Sequence, residues 1–165
     1  MSKRPRLKLY NIEDDYLTYL RQYDQRVPQN KPNGYSRPFV GVLLEINNLK
    51  YLAPLSSQIH TTQTDFPIKK KHNESVEEQI ATVRFAYMVP VTDKVLREID
   101  YSLIMNSDEN YFSLLVLEDN YINSHKKELK KKCEMTYNNK INGHFNFCCD
   151  FKKLEEQAIN YSTDI

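Results

Sequence analysis

Residues 51–60, YLAPLSSQIH, begin as a β-strand and end in side chains that can do chemistry: the adjacent hydroxyls of Ser56 and Ser57, the Gln58 amide and the His60 imidazole. Upstream, PFVGVLLEI and LKYLAPL are two β-rich runs separated by Asn47-Asn48, residues that tolerate the positive φ of a tight hairpin. Antiparallel partners start and finish together, so the loop entering the first run, with Tyr35 and Arg37, meets the Ser56–His60 exit at one end of the sheet. Hydroxyls, a guanidinium, a phenol and an imidazole could converge there on a small anionic group such as a phosphodiester. An RNA strand supplies its own nucleophile, the 2′-OH. Its cleavage needs a base for that hydroxyl, donors for the phosphorane oxygens and an acid for the departing 5′-oxygen. Arg37 suits the phosphate charge, the serines can donate to it, and His60 is the natural titrating partner. The competing explanation is ordinary turn chemistry after Pro54, with a loop histidine that has no role.

Other chemistries are less well supplied. His60, His72, His125 and His144 are scattered, with no metal-ligand spacing and no paired carboxylates on one element, so neither a metal nor another cofactor is expected. There is no Gly-x-Ser-x-Gly elbow, and three glycines could hardly build a phosphate-cradling loop. Cys133, Cys148 and Cys149 make a poor disulfide framework, and the last two sit beside Phe147 and Phe151 as though for burial. No apolar run reaches membrane-spanning length and the N-terminus lacks a secretory core, so a cytoplasmic protein is expected.

At 165 residues the chain has the size of one domain, 1–165, with a single core. Net charge is only +1, but basic residues cluster in KRPRLK, in Lys69–His72 and in His125–Lys132. Local patches of this kind can neutralise phosphates, although each taken alone is more often solvated surface. The twelve tyrosines and seven phenylalanines are compatible with base stacking, yet most should be core.

The elements that would hold these residues read as α+β. NIEDDYLTYLRQYDQRVP predicts a helix capped by Asn11, with Tyr16, Leu17, Leu20, Tyr23 and Val27 at helical spacing and a stop at Pro28. A polar loop with a turn at Asn33-Gly34 leads to the hairpin, whose first run is apolar on both faces and therefore central. FPIKKKH predicts a short strand. IATVRFAYMVPV predicts a longer one, with Val83, Phe85, Tyr87, Val89 and Val91 on one face and Arg84 on the other. Three amphipathic helices follow: one from Thr92 with Val95, Leu96 and Ile99 inward, one from Asp108 to Lys132, and one from Asp150 through Leu154, Ala158 and Tyr161. Antiparallel strands between helices give one α+β domain.

KLYNIEDDYLTYLRQYDQRVP, RPFVGVLLEINNLKYLAPLSS, YMVPV and FCCDFKKLEEQA, in that order, resemble the type III toxin family represented by ToxN and AbiQ over about residues 8 to 160. The most specific piece is the strand pair ending in Ala-Pro-Leu-Ser-Ser, and the C-terminal Phe-x-x-Leu-Glu helix is the second anchor. The resemblance implies a bacterial endoribonuclease with a strongly twisted antiparallel sheet flanked by helices, related to the Kid- and MazF-like toxins. It implies metal-free cleavage to a 2′,3′-cyclic phosphate. It also implies inhibition by a repeat-derived RNA pseudoknot that the toxin itself processes, a closed protein–RNA oligomer, and abortive infection when phage infection releases the toxin.

By the same resemblance, Tyr35 and Arg37 match the family's aromatic and basic residues before the first strand, and Ser56-Ser57 match its active-site pair. The chain then departs from the pattern. Gln58 and Ile59 stand where the family has Pro and a catalytic Lys, Arg84 stands at a usual asparagine, and Val116 and Glu118 stand where a Tyr and a Gln are expected, with Tyr111 and Tyr121 nearby. The expectation favoured here is that His60 takes the lysine's role. A lysine among Lys69, Lys70 and Lys71 folding back, or a weakened nuclease that still binds RNA, remain alternatives, as does a toxin of the same broad fold neutralised by a protein. RNA contacts are expected from Arg84, Lys69–Lys71, Tyr111, Lys126, Lys127 and Lys130.

Overall fold

The computed structural model describes residues 6–30 and 36–161. Its elements are β1 (Lys8–Ile12), α1 (Asp14–Arg21), β2 (Phe39–Ile46), β3 (Leu49–Ser56), β4 (Asp65–Asn73), β5 (Val76–Arg84), β6 (Val89–Val91), β7 (Leu96–Glu98), α2 (Tyr101–Ser107), α3 (Glu109–Ser124), α4 (Lys126–Ile141) and α5 (Phe151–Asn160). The strands form one sheet of order β4-β5-β3-β2-β1-β7, with β6 also on β3, and every described pairing is antiparallel. Helices α4 and α5 lie against β2 and β6, and α3 lies against β4. The expected α+β architecture is the one observed.

The Asn47-Asn48 hairpin forms as expected, both residues in the left-handed region at φ 52° and 67°. Near the turn Ile46 faces Leu49, but an irregularity between Val40 and Leu44 shifts the register so that Phe39 faces Pro54. Continued two residues, the shifted register sets Arg37 opposite Ser56; the unshifted one would set Phe39 there. Gly41 sits inside this irregular stretch, and a Cβ on it would come within 2.5 Å of Leu52 Cγ, itself fully buried. Gly41→Ala is therefore expected to destabilise the protein by about 2 kcal/mol, lowering Tm by roughly 4–8 °C in a thermal melt.

The first helix is shorter than its periodicity predicts. Asn11 lies in β1, where Leu9 and Ile12 are buried and the strand joins β2 to β7; sheet pairing overrides the local cap signal. The helix also stops at Arg21, because Asp24 accepts from its own chain at Arg26 N (3.0 Å), an Asx turn that competes with the helix. Tyr23 is half-buried at the edge of Tyr19 and is not core; Tyr16, Leu17, Leu20 and Val27 are.

The expected strand through Val83–Val91 is broken by a 3₁₀ turn at Phe85–Tyr87. The chain pairs with β3 before the turn through β5 and after it through β6. The strand beginning near Phe66 is a long hairpin arm, β4, paired with β5 along its length. No helix begins at Thr92: a 3₁₀ turn leads into β7, where Leu96 pairs with Ile12, and α2 starts only after Asp100 caps it by accepting from Leu103 N at 3.0 Å. The long helix is two. His125 leaves helical geometry (φ −120°, ψ 23°), stacks on Tyr121 at 4.1 Å and sets its Nδ1 2.8 Å from the Tyr121 carbonyl, and α4 then runs on to Ile141.

The final helix forms as expected, with Asp150 as cap and Phe151, Leu154 and Ala158 buried, but it ends at Asn160, and Tyr161 has already turned to extended backbone (φ −68°, ψ 124°). On its inner face the buried Glu155 carboxylate accepts from Tyr51 and Tyr137 hydroxyls at 2.7 and 2.6 Å, which ties α5 and α4 to β3. All three cysteines are free and buried, and burial pushes the Cys148 thiol up to about 11. No helix among the described residues is long and apolar enough to cross a membrane.

Candidate active site at the Ser56 rim of the sheet

Where β3 ends, a cavity of about 240 Å³ is lined by Arg26, Pro28, Arg37, Pro54, Ser56, Gln58, His60, Arg84 and Tyr87. Ser56, Gln58 and His60 reach it by alternation, while Ser57 and Ile59 are exposed and do not line it. Ser56 is 8% exposed, and its Oγ accepts from Gln58 N at 3.1 Å, tightening the exit from the strand.

The next residues are pinned from β5. Register pairs Ser56 with Thr82, and the fully buried Thr82 hydroxyl donates to Gln58 O (2.9 Å) and accepts from His60 N (3.1 Å). Gln79 Nε2 donates to the Thr82 hydroxyl at 3.1 Å and to His60 O at 3.4 Å. The backbone of the loop carrying His60 is thus held by the Thr82 and Gln79 side chains of β5, which limits where the imidazole can stand.

Arg37 is set by its backbone. Its N–H donates to Asn30 Oδ1 (2.9 Å), and the following Pro38 carbonyl accepts from Leu55 N (2.9 Å), extending the β2–β3 ladder past β2. Burial pulls the Arg37 guanidinium below its usual range, although arginine stays charged. It forms no ion pair among the described residues.

The two other guanidiniums are held by buried carboxylates. Asp24 takes Arg26 Nε at 2.9 Å and Nη2 at 3.1 Å, while Arg26 Nη1 donates to the Asn146 carbonyl at 2.7 Å. Burial alone would raise the Asp24 carboxyl; hydrogen bonds from Arg26 and from Asp150 N outweigh it and hold the group below the usual carboxylate range. Arg84 Nε donates to Asp65 Oδ1 at 3.0 Å, and Asp65 Oδ2 is taken by Thr62 N and Oγ1 at 3.1 and 2.7 Å. Three guanidiniums against two carboxylates leave one unbalanced positive charge, on the side of Arg37. A phosphodiester carries one negative charge.

Of the residues expected from sequence to act, the structure gathers Arg37, Ser56, His60 and Arg84 around this cavity; Ser57 is exposed and does not line it, and Tyr35 lies outside the described residues. The remaining candidates are elsewhere. Lys69, Lys70 and Lys71 run along β4 opposite Gln79, Glu78 and Glu77, and Glu78 is held by His72 at 2.5 Å. Tyr111 lies in the first turn of α3, its N–H donating to Asp108 Oδ1 at 3.0 Å; Lys126 and Lys127 open α4. Lys130 borders a second cavity of about 700 Å³ with Arg6, Lys8, Tyr10, Lys50 and Glu134. On α3, Val116 is half-buried and Glu118 buried, its carboxyl pushed up to about 7 by desolvation.

Arg26, Tyr87 and Thr82 were not singled out from the sequence. Helical periodicity places Arg26 in a helix tail, and alternation places Tyr87 in a continuous strand. Only the register Ser56↔Thr82 reveals Thr82.

Among the described residues no three His, Cys, Asp or Glu side chains are grouped to hold a metal ion. A family model described as "Toxin ToxN, type III toxin-antitoxin system" matches residues 8–159. The chain is similar to an endoribonuclease ToxN of Bacillus thuringiensis subsp. kurstaki, 30% identical with 98% of this chain and 87% of the relative covered. It is similar to an endoribonuclease ToxN of Pectobacterium atrosepticum, at 27% with 96% and 95% covered, and to an endoribonuclease AbiQ of Lactococcus lactis subsp. lactis, at 27% with 96% and 91% covered. One similar solved structure, from work on selective toxin inhibition by a non-coding RNA pseudoknot in bacterial type III systems, superposes with a TM-score of 0.85 at 28% identity, covering 97% of this chain and 100% of that one. Another, from work on a processed non-coding RNA that regulates a bacterial antiviral system, gives 0.82 at 26% identity over 94% and 99%.

Proposed function

Because this chain belongs to the ToxN toxin family of type III toxin–antitoxin systems, we propose that it is an endoribonuclease toxin that cuts RNA at the Ser56 rim without a metal and is held inactive by an RNA antitoxin. The observation that carries the reading is the convergence of Arg37, Ser56 and His60 on one cavity that holds a single unbalanced positive charge.

In the proposed reaction the 2′-oxygen attacks the adjacent phosphorus, the P–O5′ bond breaks, and a 2′,3′-cyclic phosphate and a 5′-hydroxyl result. His60, as neutral imidazole, takes the 2′-OH proton, and the departing 5′-oxygen takes one from water. Arg37 and the Ser56 hydroxyl donate to the phosphorane oxygens as their charge grows. Ser57, outside the cavity, contacts the incoming strand. The lysines of β4 and of α4, with Tyr111, contact the antitoxin, and toxin and RNA close into an oligomer. RNA substrates put the site of action in the cytoplasm.

The purified protein, incubated with single-stranded RNA in excess chelator, is expected to leave 2′,3′-cyclic phosphate ends, read by end-specific labelling or mass spectrometry. Loss of cutting on chelation would overturn the metal-free route. A gel shift without any cutting would favour the second reading, an RNA-binding protein of this fold, which the presence of Gln58 and Ile59 at the expected Pro and Lys positions keeps in play. Tandem repeats upstream of the coding sequence would support an RNA antitoxin; a small coding frame there would instead support a protein one.

A further inference from the structure

We infer that Arg84 and Tyr87 form a stacking platform for an unpaired nucleobase beside the scissile phosphate, so that this wall of the cavity sets the base preference of cleavage. The inference rests on RNA being the substrate. Its origin is local geometry. Arg84 immediately precedes the 3₁₀ turn Phe85–Tyr87 and Tyr87 follows it by three residues, the spacing at which side chains of a 3₁₀ turn eclipse. The Arg84 guanidinium carbon accordingly lies over the Tyr87 ring, 4.7 Å from its centroid.

The platform is rigid. Asp65, 3% exposed, holds Arg84 Nε, is itself held by Thr62, and has its backbone carbonyl taken by Lys132 Nζ at 2.7 Å. The Phe85 N–H donates to Thr64 O at 3.1 Å, tying the turn to the chain entering β4. Only Nε is committed: the Nη groups of Arg84 donate to nothing among the described residues, and the side chain keeps 20% of its exposure. A planar cation backed by an aromatic ring is a surface on which bases stack, and its free edge can donate to a base carbonyl or ring nitrogen. Arg37 and Ser56 line the same cavity, so a nucleotide whose phosphate they hold has its base within reach of this wall. With Asp65 neutralising its charge, Arg84 offers less to a phosphate than Arg37 does, and its planar face is the larger asset.

The test uses an RNA oligonucleotide that the wild-type protein cuts at one mapped site, and the same oligonucleotide with an abasic ribose immediately 5′ or 3′ of the cut. For the wild type, one of the two abasic substitutions is expected to lower kcat/KM about tenfold, the size of one lost stacking contact. In Arg84→Lys, which keeps the charge and discards the plane, the intact oligonucleotide should be cut about tenfold more slowly and the abasic one no more slowly still. Tyr87→Leu, which leaves Arg84 paired to Asp65, should shrink the abasic penalty in the same way. Melting curves identify a variant that fails to fold, and the other variant then decides. A wild type indifferent to both abasic positions would overturn the inference, as would losses that multiply between protein and substrate changes. Absence of cutting by the wild type would instead overturn the assignment of RNA cleavage itself.

Discussion

Replacing Arg37 with alanine is expected to lower kcat for RNA cleavage about a thousandfold while RNA binding in a gel shift weakens far less. Arg37 is the one cation of the cavity not balanced by a carboxylate among the described residues, and it is partly buried, where a charge acts through less water. A phosphodiester gains a second negative charge on its way to the phosphorane, so the guanidinium is worth more in the transition state than in the ground state. Arg37→Lys should recover only part of the loss, since an ammonium keeps the charge but not the two-pronged donation. Single-turnover cleavage separates the chemical step from binding. A variant whose kcat stays within a few-fold of wild type, with only KM raised, would reduce Arg37 to a contact for the strand.

His60→Ala is the second large effect. Removing a positioned general base typically costs about 10²–10⁴-fold, so cleavage should nearly vanish while the protein melts close to the wild-type temperature. The imidazole is half-buried at the cavity, and the anchoring bonds to Thr82 and Gln79 use only the His60 backbone, so truncation leaves the loop in place. Free imidazole added to the assay is therefore expected to restore part of the activity of the alanine variant. Rescue of that kind would separate loss of a base from loss of structure. Undiminished cleavage by His60→Ala would remove the histidine from the reaction and return attention to the lysines of β4.

Much of the fold could be read from local pattern. The Asn47-Asn48 turn needs two residues that tolerate positive φ, and the apolar runs beside it pair with each other as an antiparallel hairpin. The Asp150 cap and the Phe151–Ala158 stripe likewise read directly as a helix. Local pattern misleads where local and distant preferences compete. Residues 8–12 form a strand because β2 and β7 flank them, and the apolar stretch through Phe85 is interrupted because β3 accepts two different strands along one edge.

The sequence by itself determined the chemistry on offer: a guanidinium before one strand, hydroxyls and an imidazole after its partner, and no cluster of metal ligands among the four histidines. Tertiary structure decided which of these groups meet. The register shift between Val40 and Leu44 turns Arg37, not Phe39, toward Ser56, and burial of Asp24 and Asp65 fixes the two flanking guanidiniums that no local pattern joins to the site. Periodicity specifies which face a side chain takes within its own element. The alignment of one element against another depends on packing contacts between residues far apart in the chain, and those exist only once the sheet has formed.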